Sequence, residues 1–508
     1  MTFTFDDAAV RNLPALVRHR MVSPEAPFIE TADGRRFTQA GFWDLAGRLA
    51  AALIRAGLKA GDRVVVQVEK SPEVLGLVLA CARSGGVFVP LNTAYTLAEV
   101  ERFVADAQPQ AIVCPPEAAG AMHDIGRRQG VARVWTLDGL GGGDLPEAAR
   151  QAEVAPDRVT GWDDLVAILY TSGTTGRSKG AMLTHGNLAS NALALIDAWR
   201  FGPADVLLHA LPVYHTHGLF TASNTLLLAG GSMLFRPKFD ADDVMAQLPR
   251  ATTMMGVPTF YTRLLQHPGL TREAAAHVRL FISGSAPLLA ETHAEFHRRT
   301  GHAILERYGM TETNMITSNP YEGERIAGTV GRALPGLAVR VVDPASGSPV
   351  AAGDIGMVEV SGPNVCTGYW RMPEKTREEF RPDGFFITGD LGTLSASGVL
   401  SIVGRGKDLV ITGGLNVYPK EVESEIDRLP GVLESAVVGL PHHDLGEAVA
   451  AIVVQHAGAV LTEAGVIEPL RSRLAGFKLP KRVFFVDELP RNAMGKVQKA
   501  VLRDRFGL

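Results

Sequence analysis

Short apolar runs alternate with helix-like spacing through about the first 400 residues. Val64-Val-Val-Gln-Val68 predicts a buried strand. Ser71, Pro72 and Glu73 follow, giving an N-cap residue, a proline suited to the first helical position and an acid in the first turn. Leu75, Val78, Leu79 and Ala82 then recur at helical spacing, and Gly85-Gly86 predicts the helix end before Val87-Phe-Val89. Strand, helix and strand in so short a span predict a parallel α/β sheet. The alternation returns at Val166–Tyr170, Val206–Leu211 and Leu280–Ser283, each running into glycine, serine or histidine. Ligands of such sheets sit beyond the carboxyl ends of strands, so those ends are the places to look for chemistry.

Two changes of pattern divide the chain. Gly141-Gly-Gly-Asp144 reads as a linker, and a sharper change comes near Arg405. Beyond it the spacing predicts a helix from Lys420, strands near Ala436–Gly439 and Val449–Val454, a helix from Thr462 and a strand at Val483–Val486. The expected fold class is α/β: a large N-terminal domain, residues 1–404, of parallel and mixed sheets with flanking helices, plus a small α+β C-terminal domain, residues 405–508. No internal repeat or low-complexity tract interrupts this plan.

Composition narrows the function classes. The 508 residues suffice for about three domains, and 46% hydrophobic with 20% charged residues fits a globular protein. Fifty Lys+Arg against 54 Asp+Glu leave a net charge of −4, which gives no support to a nucleic-acid binder or a polybasic membrane protein. From Arg471 onward, ten Lys/Arg face three Asp/Glu, either a solvated basic face or a phosphate-handling surface. Cys81, Cys114 and Cys366 stand far apart without a CxxC spacing, against a disulfide framework or zinc knuckle and for a reducing compartment. The N-terminus shows no secretory signal and no run approaches about 18 apolar residues, so a cytoplasmic protein without membrane or nucleic-acid partners is expected.

The most informative stretch is Tyr170-Thr-Ser-Gly-Thr-Thr-Gly-Arg-Ser-Lys-Gly180, an apolar strand feeding a loop of glycines, hydroxyls and one lysine. Glycines let backbone N–H groups turn toward an anion, hydroxyls add donors, and Lys179 supplies charge. It is not the Gly-x-x-x-x-Gly-Lys-Ser/Thr loop of transport and motor ATPases. It resembles the phosphate-binding signature of the adenylate-forming enzymes, which include acyl-CoA synthetases, luciferases and peptide-synthetase adenylation domains. The resemblance continues in order through Ser283-Gly-Ser-Ala-Pro287, Glu306-Arg-Tyr-Gly-Met-Thr-Glu-Thr313, Phe386-Ile-Thr-Gly-Asp390, Gly404-Arg-Gly-Lys-Asp408 and Pro490-Arg-Asn-Ala-Met-Gly-Lys496, covering essentially the whole chain.

The resemblance implies ATP, Mg2+ and coenzyme A, and a role for each matching residue. Thr171, Ser172, Gly173, Thr174, Thr175, Gly176 and Lys179 would cradle the phosphates. Glu312 would bind magnesium, a hard cation that prefers carboxylate oxygen. Tyr308 would stack on adenine, with Gly284, Ser285 and Ala286 allowing the ring close approach, and Glu306, Arg307, Gly309, Met310 and Thr311 completing the nucleotide site. Asp390 and Arg405 would hold the ribose; a loop salt bridge is the plainer reading of that pair, as a core tyrosine is of Tyr308. Lys496 would bridge the substrate carboxylate and the α-phosphate. Lys407 would be the hinge of a mobile C-terminal domain, with Gly413 and Gly414 lining the coenzyme A tunnel or forming an ordinary turn.

The acid is read from the intervening loops. A short dicarboxylate needs a second cation, because an unpaired buried carboxylate is heavily penalised and a bidentate arginine is the usual device. Leu211–Leu219, Gly256–Arg263 and Asn314–Gly328 resemble malonyl-CoA synthetases more specifically. Arg325 is the expected distal-carboxylate partner, with Arg263 and Arg236 as lesser choices, and His217 and Ser318 line the acyl site. His215 and His217 lack the further ligands a metal would need. The expected reaction joins malonate to coenzyme A with ATP cleaved to AMP and pyrophosphate, with methylmalonate as a further substrate. The alternative is a short- or medium-chain fatty-acyl or aryl (4-coumarate-like) ligase. A luciferase-like oxygenase and a non-catalytic AMP sensor find less support. The chain ends twelve residues after Lys496 with no carrier-protein motif, which favours free coenzyme A as acceptor.

Overall fold

The β-branched run Arg63–Val66 is a strand, and Val87–Pro90 pairs with it in parallel, Val65 opposite Val89. Helix Pro72–Ser84 crosses between them and stops where Gly85 adopts φ +70°. The computed structural model describes residues 4–154, 156–171, 178–413, 415–492 and 495–507.

Around this unit lies a sheet in the spatial order Arg133–Thr136, Ala111–Cys114, Arg63–Val66, Val87–Pro90, Leu165–Thr171 and Lys179–Thr184. All neighbours are parallel except the last pair, where Thr171 faces Lys179. Lys179 therefore opens a strand antiparallel to the one that ends at Thr171. A second, nine-stranded sheet carries Val206–His209, Thr253–Gly256, Leu280–Ser283 and Leu305–Met310 in parallel, and Asn314–Ser318 turns back antiparallel beside the last of them. Helices cover these sheets and bury Trp199, Tyr261, Phe281 and Phe296. A third sheet is antiparallel: Ala338–Val342, Ile355–Ser361, Phe386–Leu394 and Leu400–Arg405.

One turn of 3-10 helix, Gly406–Asp408, leads from that sheet to a smaller five-stranded one. In the smaller sheet Val432–His442 pairs antiparallel with Gly446–Gln455, and Arg482–Val486 adds in parallel. Helices Pro419–Ile426 and Glu463–Leu470 close a separate core of Val422, Ile426, Val437, Val453, Val466 and Leu470. The molecule is thus a large α/β domain followed by a small α+β domain. Seven of the ten cations after residue 470 meet acids: Arg471 with Glu468, Arg473 with Glu425, Lys478 with Glu421, Arg482 with Glu463, Arg491 with Glu434, Lys499 with Glu423 and Arg503 with Asp408. The local positive charge is largely neutralised within the small domain.

Gly141–Asp144 is not a linker. It is a packed turn inside the large domain: a β-carbon at Gly143 would stand 2.4 Å from the Thr136 carbonyl oxygen, and Asp144 opens helix Asp144–Arg150. Among the described residues, no helix is long and apolar enough to cross a membrane.

Candidate active site

The candidate residues come from the carboxyl ends of both large sheets and from the third sheet. Asp390 and Arg405 sit opposite each other on adjacent antiparallel strands, and the Arg405 Nε donates to Asp390 Oδ1 at 2.7 Å. The Tyr308 hydroxyl donates to the other Asp390 oxygen. Burial opposes the Arg405 charge, but Asp390 and Tyr308 outweigh it and raise its pKa; burial and then Asp390 push the Tyr308 phenol up. Three residues distant in sequence so form one polar cluster with a ring beside an acceptor–donor pair.

The next cluster surrounds the end of strand Leu165–Thr171. Glu312 is 4% exposed, and burial raises its pKa. One of its oxygens lies 3.4 Å from Thr171 Oγ1 and 3.2 Å from the Tyr369 hydroxyl. Lys179 opens the neighbouring strand and pairs with Glu379 at 2.7 Å. Among the described residues no group of three or more His, Cys, Asp or Glu side chains gathers to hold a metal. A buried, donor-poor carboxylate beside a lysine fits magnesium, which typically takes one or two carboxylates and completes its shell with phosphate and water. Ser172, Gly173, Thr174, Thr175 and Gly176 lie outside the described residues.

A third cluster is built on one turn of π-helix, His217–Ala222, a distortion frequent at functional sites. His217 Nδ1 lies 3.2 Å from Ser285 Oγ, and its Nε2 is buried without a partner. Burial, then Arg307, holds the His217 imidazole well below its ordinary pKa, so it is neutral. Ser285 occupies the left-handed region at φ +72°. Arg307, 3% exposed, keeps Nε and one Nη buried without partners, and burial lowers its pKa to about 9, still charged at neutral pH. His215 feels both Arg307 and Lys496, and with burial as the main cause its pKa falls to about 4. Asn314 fixes its amide by accepting from Thr216 Oγ1 at 2.7 Å, which leaves its buried Nδ2 without a partner.

Several expectations are corrected by this geometry. Arg325 donates to the carbonyls of Pro320, Ala303 and Tyr321, so its guanidinium ties down its own loop and does not face the acid. Arg236 is held by Asp243 through both carboxylate oxygens. Arg263 is exposed in the last turn of helix Pro258–Gln266. Ser318 accepts from the Trp199 indole at 2.9 Å and donates to the Asn319 carbonyl, a structural bridge. Arg307, expected at the nucleotide, lies with His215 and His217. Gly284 gives close approach to Arg307, whose Cζ would stand 2.4 Å from an added β-carbon; this is a different reason for that glycine from room for adenine. Glu306 faces Gly328, accepting its N–H at 3.3 Å, and burial raises it to about 7. Gly309 is required by the backbone, since a β-carbon there would meet the Asn314 carbonyl oxygen at 2.0 Å. Met310 packs on the main core, Thr311 is buried, and Ala286 follows Ser285 at the same strand end.

The small domain brings Lys496 to the cleft. Its loop lies on Thr259 of the large domain, where Gly495 makes close contact. Lys496 is exposed, yet desolvation by the protein around it, and after that Arg405, lower its ammonium to about 8, with Asp390 acting the other way. Lys407 is exposed in the turn between domains, and neighbouring Asp408 pairs with Arg503 at 3.1 Å. Gly413, at φ +55°, is exposed between strands Val410–Thr412 and Leu415–Val417; Gly414 lies outside the described residues.

Sequence reasoning missed Tyr369, Glu379 and Asn314. Glu379 carries the spacing of an ordinary surface i,i+4 pair with Lys375, and only the fold reveals Lys179 on its other side.

The site thus brings together an Asp–Arg–Tyr cluster, a buried carboxylate near a lysine, and a second lysine supplied by a separate domain. The AMP-binding enzyme family matches residues 16–370 and its C-terminal domain matches residues 421–496, so the chain belongs to this family and is an AMP-forming acyl-CoA ligase. It is 36% identical to a feruloyl-CoA synthase of an Amycolatopsis species over 97% of this chain and 98% of that one. It is 34% identical to a malonate–CoA ligase of Arabidopsis thaliana over 87% of this chain and 78% of the relative. The crystal structure of ATP-bound MatB from Rhodopseudomonas palustris superposes with a TM-score of 0.96 at 59% identity, covering 98% and 99% of the two chains.

Proposed function

We propose that the protein is a malonyl-CoA synthetase, joining malonate to coenzyme A through malonyl-adenylate and accepting methylmalonate as well. The observation that carries the reading is Arg307: a buried guanidinium with two unpaired nitrogens beside His215 and His217. Leaving such donors unsatisfied is costly, and a carboxylate taking both is the strong, geometrically specific partner. Arg307 and Lys496 both bear on His215, so two cations stand near one histidine, as a small dicarboxylate requires. The similarity to a malonate–CoA ligase supports the same substrate.

In the first step a malonate carboxylate oxygen attacks the α-phosphorus of ATP, the new P–O bond forms, and pyrophosphate leaves. Lys496 bridges the two anions, Arg307 holds the distal carboxylate, and neutral His217 walls the pocket without adding charge. Tyr308, Asp390 and Arg405 position adenine and ribose; Thr171, Lys179 and the 172–176 loop meet the phosphates. Glu312 would hold magnesium, which when bound offsets phosphate charge. In the second step the coenzyme A sulfur, its proton lost, attacks the acyl carbonyl and AMP departs. For this the domains, divided at 404/405, turn about Lys407, withdrawing Lys496 and presenting Gly413 and Gly414. The reaction takes place in the cytoplasm.

The aryl reading rests on similarity to relatives such as the feruloyl-CoA synthase and an indoleacetate–CoA ligase. An aryl tail would bury Arg307 without a counter-charge, which weighs against it. A coenzyme A ligation assay across acetate, malonate, methylmalonate, succinate, octanoate and 4-coumarate decides. Malonate is expected to lead, with Arg307→Met reducing its kcat/KM about a hundredfold, roughly 2.7 kcal/mol of lost transition-state stabilisation. A preference for octanoate or 4-coumarate removes the malonate assignment and leaves the two-step chemistry.

A further inference from the structure

Glu379 ends helix Pro373–Glu379 and is mostly buried. Its Oε1 accepts from Lys179 Nζ at 2.7 Å and from Lys375 Nζ at 3.0 Å, and its Oε2 accepts from the Tyr369 hydroxyl at 2.5 Å. That hydroxyl also lies 3.2 Å from Glu312 Oε1 and 3.3 Å from Lys179 Nζ. A phenol has one proton. Tyr369 gives it to the nearer carboxylate, which leaves the buried Glu312 with the long contact from Thr171 Oγ1 at 3.4 Å as its side-chain donor. Lys179, whose ammonium also rests 4.4 Å from the Tyr369 ring centroid, is already paired with Glu379 before any phosphate arrives. Two acids thus stand beside the place where a polyanion must bind, and one of them already holds the lysine.

We propose that Glu379 is a counter-ion gate on the phosphate site, holding Lys179 until a metal-neutralised triphosphate takes its place and excluding metal-free nucleotide. The physical basis is charge. Free ATP carries roughly four negative charges and its magnesium complex roughly two, so a carboxylate that has given up one of its two lysines opposes the free form more strongly. A triphosphate that bears its own cation can take Lys179 from Glu379 and leave Glu379 with Lys375 and Tyr369. The gate acts on nucleotide and is independent of which acid is activated. Glu379 is a positioning residue, acting through Lys179.

The test is titration calorimetry of the full chain with ATP, in excess magnesium and in EDTA, with neither acid nor coenzyme A present. The ratio of the metal-free to the magnesium Kd is the readout. In Glu379→Gln, which keeps an acceptor for Tyr369 and Lys179 but loses the charge, the ratio is expected to fall at least fivefold. A merely structural role weakens both affinities together and leaves the ratio in place, so a smaller fall overturns the proposal. Should Glu379→Gln fail to fold, Lys179→Met tests the gate from the other side. With Glu379 retained and its partner gone, the ratio is expected to widen at least fivefold, and a ratio that does not overturns the proposal.

Discussion

The Arg307 guanidinium rests against the backbone of Gly284, so that a β-carbon at 284 would stand 2.4 Å from Cζ and 2.6 Å from Nε. No L side chain fits there unless the arginine moves. Gly284→Ala is therefore expected to raise the KM for malonate about tenfold, roughly 1.4 kcal/mol, while the KM for ATP stays put. Steady-state kinetics with each substrate varied in turn check this. A rise in the ATP KM alone would place Gly284 at the adenine instead.

Arg325 should behave as scaffold. Its loss leaves the carbonyls of Ala303, Pro320 and Tyr321 without their donors. Arg325→Gln is expected to cost on the order of 1–3 kcal/mol in urea unfolding. The malonate KM of the folded variant should stay within about twofold of the parent, a change of roughly 0.4 kcal/mol. A tenfold rise at unchanged stability would return Arg325 to the acid.

What could be read from the chain, and what could not, divides along physical lines. Ser71, Pro72 and Gly85 mark a helix because they solve backbone problems local to its ends, and β-branched runs such as Val64–Val66 are likewise local signals. Choosing among arginines is not local. Arg307, Arg325, Arg236 and Arg263 carry the same side chain, and what separates them is whether their donors are already taken, by carbonyls at Arg325 or by Asp243 at Arg236. Arg307 was further hidden inside a motif credited to the nucleotide, and its backbone neighbour Gly284 appeared to have another purpose. The turn Gly141–Asp144 misled because glycine-rich sequence looks the same whether it swings free or packs tightly on Thr136.

Lys496 predicts a pH signature confined to one half-reaction. Desolvation and Arg405 bring its ammonium to about 8, and only the protonated form can bridge two anions. Acid-dependent exchange of labelled pyrophosphate into ATP should decline as pH rises through about 8. Thioester formation from supplied acyl-adenylate should lack this limb, because Lys496 has no part in that step. Lys496→Ala should abolish the exchange and largely spare the second step. The same alkaline limb in both half-reactions, or equal loss of both in the variant, would remove the role.

Glu306 ties protonation to stability. It is 7% exposed, it accepts the Gly328 N–H at 3.3 Å, and burial lifts its pKa from 4.5 to about 7, with Lys420 of the small domain offsetting part of the rise. A carboxyl whose pKa is higher folded than unfolded is favoured in the fold while protonated. Below pH 4.5 it therefore costs nothing; from 4.5 to about 7 stability falls as pH rises; above 7 the full cost stands. That cost is on the order of 2–3 kcal/mol. Glu306→Gln keeps the size and an acceptor for Gly328 but cannot ionise. Urea unfolding should show the variant more stable than the parent by about that amount at pH 8, with the advantage gone near pH 4.5. A difference that stays constant across that range would mean Glu306 has the same pKa folded and unfolded, with Lys420 compensating its burial in full.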